Sequence, residues 1–275
     1  MNSTTNPLSN YMRQPKIYIS LPSKGLYYEP GALQGDYTNM PILAMTGIDE
    51  IILKTPDALF NGESTIRIIE SCCPYIKDAK NMPSIDIDTI LAAIKIATFG
   101  NTATVSKTCT KCGTENDYEL PLNSIIDYFT NLKFNNKIVL NDQLEITIRP
   151  LKYSEMSYFS IENFKLQKIL NQAAEMDDIN KKAKINEIYL RLSELQLELL
   201  TLTVETAMVG STLVTEKEYI EEWLKNVERS VFSDIKKRIE ENKDLWEIPE
   251  TPVVCDNCGN ENKIQLSLDQ SSFFG

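Results

Sequence analysis

The chain has 275 residues, with 28 Lys and Arg against 39 Asp and Glu, and a net charge of −11. This acidic balance argues against broad binding to nucleic acids or anionic membranes, which requires excess positive charge. Histidine is absent, which excludes Ser-His-Asp catalysis, Cys-His catalysis and histidine metal sites within the chain. No apolar run approaches the roughly 18 residues of a membrane span, and residues 1–15 contain no apolar signal core. We therefore expect synthesis in a reducing, intracellular compartment.

The first 41 residues are predicted to form an N-terminal arm followed by one strand. Residues 1–15 are expected to be a mobile arm. Lys16–Ser20 alternates apolar and polar side chains as a strand does, and Leu21–Gly25 has the composition of a turn. Residues 26–41 hold many Tyr, Gly and Pro and predict an irregular extended segment.

Residues 42–100 are predicted to form an N-terminal helical unit of three helices. The first begins at Thr55-Pro56, with Pro at the first helical position, and ends at Asn61-Gly62. The second runs from about residue 63 to residue 73 and stops before a proline. The third is capped by Asp86 and continues to Gly100, with apolar residues at the spacing of one buried helix face.

Residues 101–152 are predicted to be mainly β, and residues 153–246 mainly helical. Within the first range we expect a short helix over 125–132 and a β-hairpin over 137–148. Few residues break the helical pattern of the second range, which returns to a β segment at 247–275 through two prolines.

The helical range contains an apolar heptad seam of nearly three repeats. Its members are Ile188, Leu192, Leu195, Leu199, Leu202, Thr206 and Val209. The seam fits either a helix packed inside a bundle or an intermolecular coiled coil, which would make the protein a homo-oligomer. Gly210 is predicted to end this helix, and Thr215–Glu218 has the capping-box pattern that begins the next one.

Four of the six cysteines form two mirrored C-x-x-C pairs. They are Cys109, Cys112, Cys255 and Cys258. In each pair a strand-like run leads in, Gly follows the second Cys, and Glu-Asn precedes another alternating strand. This is the pattern of a zinc-ribbon knuckle, in which two thiolates grip one face of a metal and the turn donates backbone N–H groups to their sulfurs. Two knuckles supply four thiolates and leave no open position, so we predict a structural Zn²⁺ rather than a catalytic metal.

The separation of the two pairs is unusual, because residues 113–254 lie between them whereas most ribbons separate their pairs by ~15–20 residues. Either one ribbon carries a large insertion, or each pair acts separately as a redox dithiol or as free thiols. One shared site is favoured because each pair alone supplies only two of the four ligands of a tetrahedral metal. In addition, a thioredoxin-like dithiol would lie at the start of a helix, whereas both motifs here lie between strands. The spacing does not distinguish zinc from iron.

The remaining cysteines, Cys72 and Cys73, are adjacent and are interpreted as small buried side chains at a helix end. The predicted fold class is therefore α+β. It comprises the arm and strand of residues 1–41, the helical unit of 42–100, and a zinc-ribbon-like β module of 101–152 and 247–275. The long α-helical insertion of 153–246 interrupts this module.

Motifs of common enzyme classes are absent from the sequence. There is no G-x-G-x-x-G, G-x-x-x-x-G-K-[ST], H-E-x-x-H or G-x-S-x-G. Acidic pairs such as Asp177-Asp178 are interpreted as solvated helix faces, and Asp86 and Asp88 as a helix cap and a first-turn charge. We therefore expect no enzymatic activity and no catalytic residues.

Several stretches together resemble one known family. They are L-P-S-K-G-L-Y-Y (21–28), M-P-I-L-A-M-T-G-I-D-E (40–50), T-P-D-A-L-F-N-G (55–62), I-I-E-S-C-C-P (68–74), I-L-A-A-I-K-I-A-T-F-G (90–100) and the C-terminal S-F-F-G. They resemble the baseplate hub assembly proteins of T-even-like contractile-tailed bacteriophages, over about residues 16–120 and 250–275. The helical middle resembles that family poorly.

The resemblance implies a non-enzymatic structural or assembly protein of the tail baseplate hub. It implies contacts with other hub and tail proteins and with the tape measure protein, and no binding to nucleic acid or membrane. Such a protein is made in the host cytoplasm and is found in the virion tail baseplate if it is retained there, or leaves if it acts as a chaperone.

Two other functions remain open from the sequence. Zinc ribbons recur in transcription proteins, so a nucleic-acid-associated factor is the second hypothesis, although the acidic balance weighs against it. A metal-dependent enzyme is the third. The C-terminal Ser271–Gly275 segment fits either local packing on the ribbon or a docking peptide that orders on assembly.

Overall fold

The computed structural model describes residues 6–54, 62–173 and 178–268. Contacts divide the chain into two compact units. The first comprises residues 1–79, 85–132 and 248–275, and the second comprises 80–84 and 133–247. Several predicted features lie outside the described residues: the first five residues of the N-terminal arm, the helix start at Thr55-Pro56, its end at Asn61, the acidic residue Asp177 and the segment Ser271–Gly275.

The elements mix helix and strand throughout, which confirms the α+β class. The strands are β1 (Pro15–Ile19), β2 (Met40–Leu43), β3 (Thr102–Thr108), β4 (Glu115–Pro121), β5 (Lys137–Asn141), β6 (Leu144–Ile148), β7 (Val204–Val209), β8 (Thr212–Val214), β9 (Thr251–Val254) and β10 (Glu261–Ile264). The helices are α1 (Gly47–Leu53), α2 (Glu63–Cys72), α3 (Ile87–Phe99), α4 (Asn123–Asn131), α5 (Tyr153–Ala173), α6 (Asp178–Thr203), α7 (Lys217–Asn226) and α8 (Arg229–Leu245). Short 3₁₀ turns precede β1 and α3.

Helix α3 is the centre of the first unit and contacts α2, α4, β1 and β2. The sequence predicts one apolar face, but nearly every side chain of its first two turns is buried, including Ile90, Ala92, Ala93 and Ile94 at 0% exposure. A helix with apolar residues on all sides is stable only when it is surrounded. The antiparallel pair β1–β2 packs against one side of α3, and helices α2 and α4 pack against other sides.

Asp86 does not cap α3, contrary to the sequence prediction. Its side chain makes no hydrogen bond to the first turn. Instead the carboxylate accepts hydrogen bonds from the Ser23 N–H at 2.7 Å, the Ser23 hydroxyl at 2.6 Å and the Tyr28 hydroxyl at 2.9 Å. Burial raises the pKa of Asp86 to about 6, although these hydrogen bonds lower it. The carboxylate thereby holds a loop in which Lys24 and Tyr27 adopt positive φ angles of 55° and 69°.

The predicted mobile arm is anchored at Arg13. Its guanidinium donates to the Ala44 carbonyl at 2.7 Å and to the Ser71 carbonyl and hydroxyl at 2.7 and 2.8 Å. It also lies 3.4 Å from the Asp49 carboxylate and 3.7 Å from the Cys72 sulfur. These contacts attach the segment before β1 to α1 and to the end of α2, because one guanidinium presents several donors in a fixed plane.

The second unit contains a four-stranded antiparallel sheet in the order β5-β6-β7-β8. The helical prediction is wrong for residues 204–214, because β7 pairs with β6 and then with β8. Gly210, predicted to end a helix, lies in the turn between these strands with a φ of 58°. Val204 and Ala207 face the core that the sheet shares with α7 and α8. The hairpin β5–β6 thus belongs to this unit, whose main segment begins at residue 133.

The predicted capping box at Thr215–Glu218 does not form. Helix α7 begins at Lys217, and its N-cap residue Glu216 makes no side-chain cap hydrogen bond. The Glu216 carboxylate instead accepts from the Thr215 N–H at 3.1 Å. The Lys217 ammonium donates to the carbonyls of Thr201 and Val204 near the end of α6, where a positive charge is favourable.

The helical part of the heptad seam, from Ile188 to Leu202, packs within the chain, whereas Thr206 and Val209 lie on β7. Ile188 and Leu195 on α6 are 3% and 4% exposed and form a cluster with Phe159 and Leu166 on α5. The structure therefore favours the intramolecular alternative for this seam over an intermolecular coiled coil. On the same helix Leu190 is 64% exposed.

Leu195→Ala and Leu190→Ala form a matched pair that tests this packing. We expect Leu195→Ala to lower the free energy of unfolding by ~2–5 kcal/mol, because it opens a cavity between α5 and α6. Leu190→Ala should change it by no more than ~0.5 kcal/mol, as exposed substitutions do. Urea denaturation measures both values, and equal losses for the two variants would contradict the intramolecular seam.

Asp86→Ala tests the buried carboxylate. The substitution leaves the Ser23 N–H and two hydroxyls without their acceptor, so we expect a loss of at least ~2 kcal/mol of unfolding free energy. Asp36→Ala is the control, because the Asp36 carboxylate accepts comparable hydrogen bonds from Thr38 at an exposed turn. Its loss should stay below ~1 kcal/mol, and a similar loss for both variants would count against the buried network.

Candidate metal centre

Two antiparallel hairpins of the first unit present the four paired cysteines. Strands β3 and β4 pair from Thr102↔Pro121 to Thr108↔Glu115, and the turn that joins them carries Cys109 and Cys112. Strands β9 and β10 pair up to Val254↔Glu261, and their turn carries Cys255 and Cys258. Both motifs thus lie between strands, as the sequence predicts.

The two turns have the same backbone geometry. In the first, the Cys109 N–H donates to the Thr114 carbonyl at 2.9 Å and the Gly113 N–H donates to the Cys109 carbonyl at 3.0 Å. In the second, the Cys255 N–H donates to Asn260 and the Gly259 N–H donates to Cys255, each at 2.9 Å. The φ angles of Gly113 and Gly259 are 72° and 69°, a conformation that glycine adopts without a steric penalty.

The four sulfur atoms come together across the 142-residue separation from residue 113 to residue 254. All four lie within 4.8 Å of one another. The Cys109–Cys258 and Cys112–Cys255 sulfur pairs are both 3.7 Å apart. A tetrahedral site with ~2.3 Å metal–sulfur bonds has sulfur–sulfur edges of ~3.8 Å, whereas a disulfide requires ~2.05 Å. The spacing therefore fits a four-thiolate metal shell.

The electrostatics of the turns favour thiolates at two positions. Backbone N–H groups of the first turn lower the pKa of Cys109, and the Thr114 hydroxyl and N–H lower the pKa of Cys112 to about 5. The Asn260 N–H lowers the pKa of Cys258. The Cys112 thiol and burial have the opposite effect and outweigh it, so the net pKa of Cys258 is raised to about 12. Four thiolates this close together would repel one another, so the sulfurs resist losing all four protons. A cation at their centre would offset this repulsion and favour the thiolate form.

Two buried asparagines that the sequence analysis does not single out contact the cysteines, and the exposed Asn257 amide lies 3.7 Å from the Cys112 sulfur. The Asn116 side-chain N–H donates to the Cys255 sulfur at 3.5 Å, and the Asn262 side-chain N–H donates to the Cys109 sulfur at 3.6 Å. Both asparagines are buried, at 7% and 4% exposure. The mirrored Glu-Asn after each knuckle is the signal that could have identified them.

Cys72 and Cys73 take no part in this cluster. Both are 0% exposed at the end of α2, which agrees with their predicted burial. Burial raises the pKa of both thiols, that of Cys72 to about 12. Among the residues that the structure describes, the four paired cysteines are the one group of potential metal ligands.

No helix within residues 6–54, 62–173 and 178–268 has the combined length and hydrophobicity of a membrane span. The fold and the site together define an α+β protein in which a four-cysteine, ribbon-like cluster joins two segments that are distant in sequence. The cluster is a potential structural metal site, because four sulfurs fill a tetrahedral shell.

The chain belongs to a family described as T4 bacteriophage base plate protein, whose model matches residues 32–275. It is therefore a component of the virion tail of a T4-like phage and a structural protein of the baseplate, as the sequence resemblance indicated. Neither the curated proteins nor the solved structures provide a significant match.

Proposed function

We propose that this chain is a non-enzymatic structural or assembly protein of the baseplate hub. The observation that carries the proposal is the family match over residues 32–275, which spans the second structural unit and all but residues 1–31 of the first. The protein acts through contacts with other hub and tail proteins, including the tape measure protein, and it is made in the host cytoplasm during assembly. The net charge of −11 weighs against the alternative of a nucleic-acid-associated ribbon factor.

The four cysteines Cys109, Cys112, Cys255 and Cys258 bind one structural Zn²⁺ in this proposal. The support is the sulfur spacing, the paired turns and an all-thiolate donor set, which suits Zn²⁺. The closed shell leaves no position for water or substrate, so the metal has a structural role. Since the seam on α6 packs against α5, the proposal does not include oligomerisation through that seam.

Elemental analysis of the purified full chain tests the metal assignment. We expect about one zinc per chain, as in four-cysteine structural sites. Cys109→Ser and Cys255→Ser should each lose the metal to a chelator that leaves the wild-type protein loaded, because either one breaks the shared shell. Cys72→Ala is the matched control and should retain full metal content.

Two results would contradict this assignment in different ways. Iron at the same stoichiometry would change the identity of the metal and keep the shared site. Unchanged metal content in both serine variants would show that the two cysteine pairs do not share one ion.

Deletion of the gene from the phage that encodes the chain tests the hub function. We expect the deletion phage to produce no complete baseplates by electron microscopy. Expression of the wild-type chain or of Cys72→Ala should restore them, while Cys109→Ser should restore few, because its first unit lacks the metal cross-link. Normal baseplates without the gene product would refute the proposal.

Mass spectrometry of purified tails from the complemented phage separates the two modes of action. Detection of the chain in finished tails indicates a structural component of the hub. Its absence from tails that nevertheless require it for assembly indicates a chaperone that is released.

A further inference from the structure

Asn116 and Asn262 occupy equivalent positions in the two hairpins, each seven residues after the first cysteine of its own knuckle. Each side chain reaches to the opposite knuckle. The Asn116 amide contacts Cys255 and the Asn262 amide contacts Cys109. The result is a reciprocal pair of contacts around the four sulfurs.

The orientation of each amide is fixed by a backbone donor. The Asp256 N–H donates to the Asn116 side-chain oxygen at 3.1 Å, and the Thr110 N–H donates to the Asn262 side-chain oxygen at 3.2 Å. A backbone N–H can only donate, so the amide oxygen must face it. The amide nitrogen is therefore the atom that can donate to the sulfur on both sides, although the Asn116 oxygen also lies 3.7 Å from the Cys255 sulfur and accepts from it while that thiol is protonated. A thiolate has no proton to donate, so only the contact with the amide nitrogen remains once the sulfur is ionised.

A third contact fixes each amide to its own hairpin. The Asn116 side-chain N–H also donates to the Thr114 carbonyl at 3.0 Å, and that of Asn262 donates to the Asn260 carbonyl at 3.3 Å. Each asparagine thus bridges its own turn, the opposite backbone and the opposite sulfur. On both sides the asparagine has the same three kinds of partner: a carbonyl of its own turn, a backbone N–H of the opposite turn and a sulfur of the opposite turn. A side chain that only filled space would not need this repeated set of hydrogen bonds.

We propose that Asn116 and Asn262 are positioning residues that set the geometry and the affinity of the metal site from opposite sides. The inference rests on the proposed metal binding. Four thiolates around one divalent cation leave excess negative charge, and an N–H donor to a thiolate stabilises that charge. Because each donor belongs to the opposite hairpin, each amide also holds the two knuckles in register.

The experiment compares Asn→Asp and Asn→Ala at both positions in the full chain. Asp keeps the size of the side chain and the oxygen that accepts the backbone N–H, but it places a carboxylate oxygen against the thiolate. Ala removes the donor without adding charge. The control is Asn242→Asp, because Asn242 is also 7% exposed and its amide bonds the backbone of Asn135 in the second unit.

Chelator competition measures zinc affinity in each variant. We expect Asn116→Asp and Asn262→Asp to weaken zinc binding ~10–100-fold, the usual range for residues that orient metal ligands. The two positions should give similar losses because their contacts are equivalent. Asn242→Asp should lower the stability of the protein and leave zinc affinity unchanged.

Cobalt spectroscopy supplies a readout that a purely structural role would not move. In Co²⁺-loaded protein the thiolate-to-cobalt charge-transfer band should shift to lower energy in the Asn→Ala variants, because a sulfur without its N–H donor gives up charge more readily. If an Asp variant fails to fold, the spectrum of the Ala variant at the same position decides the result.

Two negative results can be told apart. If the wild-type chain binds metal and all four variants match it in zinc affinity and in cobalt spectrum, the positioning role is wrong while the metal site stands. If the wild-type chain binds no metal, the metal assignment fails and this inference fails with it. The family membership and the baseplate role are independent of both results.

Discussion

The approach of the two cysteine turns is the constraint on which the first unit depends, because it joins segments from either side of residues 133–247. The length of that insertion adds little to the entropy of closure. Each doubling of a flexible loop costs about 0.6 kcal/mol, so the step from a usual ribbon spacing to this one, roughly three doublings, costs about 2 kcal/mol. A structural zinc site supplies ~10–16 kcal/mol at neutral pH. Metal binding would therefore exceed the additional cost several-fold.

The folded insertion lowers that cost further. The Asn135 N–H donates to the Asn242 side-chain oxygen at 3.2 Å, and the Asn242 amide donates to the Asn135 carbonyl at 2.9 Å. These bonds connect the beginning and the end of the segment 133–247 to each other. Once this unit is folded, its ends are already close in space, and the flexible-loop estimate becomes an upper bound. A metal-bound ribbon can thus contain an insertion of this size without losing the proximity of its two halves.

Local patterns could be predicted from the sequence, and so could one long-range partnership, that of the two cysteine pairs, because each pair alone is an incomplete metal shell. The other long-range partners could not be predicted. The two C-x-x-C turns and the hairpin β5–β6 depend on neighbouring residues, and their predictions agree with the structure. Residues 204–209 continue a heptad in sequence but form β7, because strand β6, more than fifty residues earlier, offers a pairing edge. Asp86 has a helix-cap sequence context, yet its partners Ser23 and Tyr28 lie about sixty residues away. In each case a distant partner outweighs a local preference.

The order of synthesis gives the nested arrangement a further physical consequence. The first knuckle is synthesised with an incomplete shell, and 142 residues separate it from Cys255. The second unit is complete only at residue 247, eight residues before Cys255. At ~5–20 residues per second those eight residues take about 0.4 to 1.6 s, a time comparable to the folding time of the slower small domains and longer than that of the faster ones. The four-cysteine cluster cannot close before Cys258 is synthesised, so its closure follows the synthesis of the whole insertion of residues 133–247.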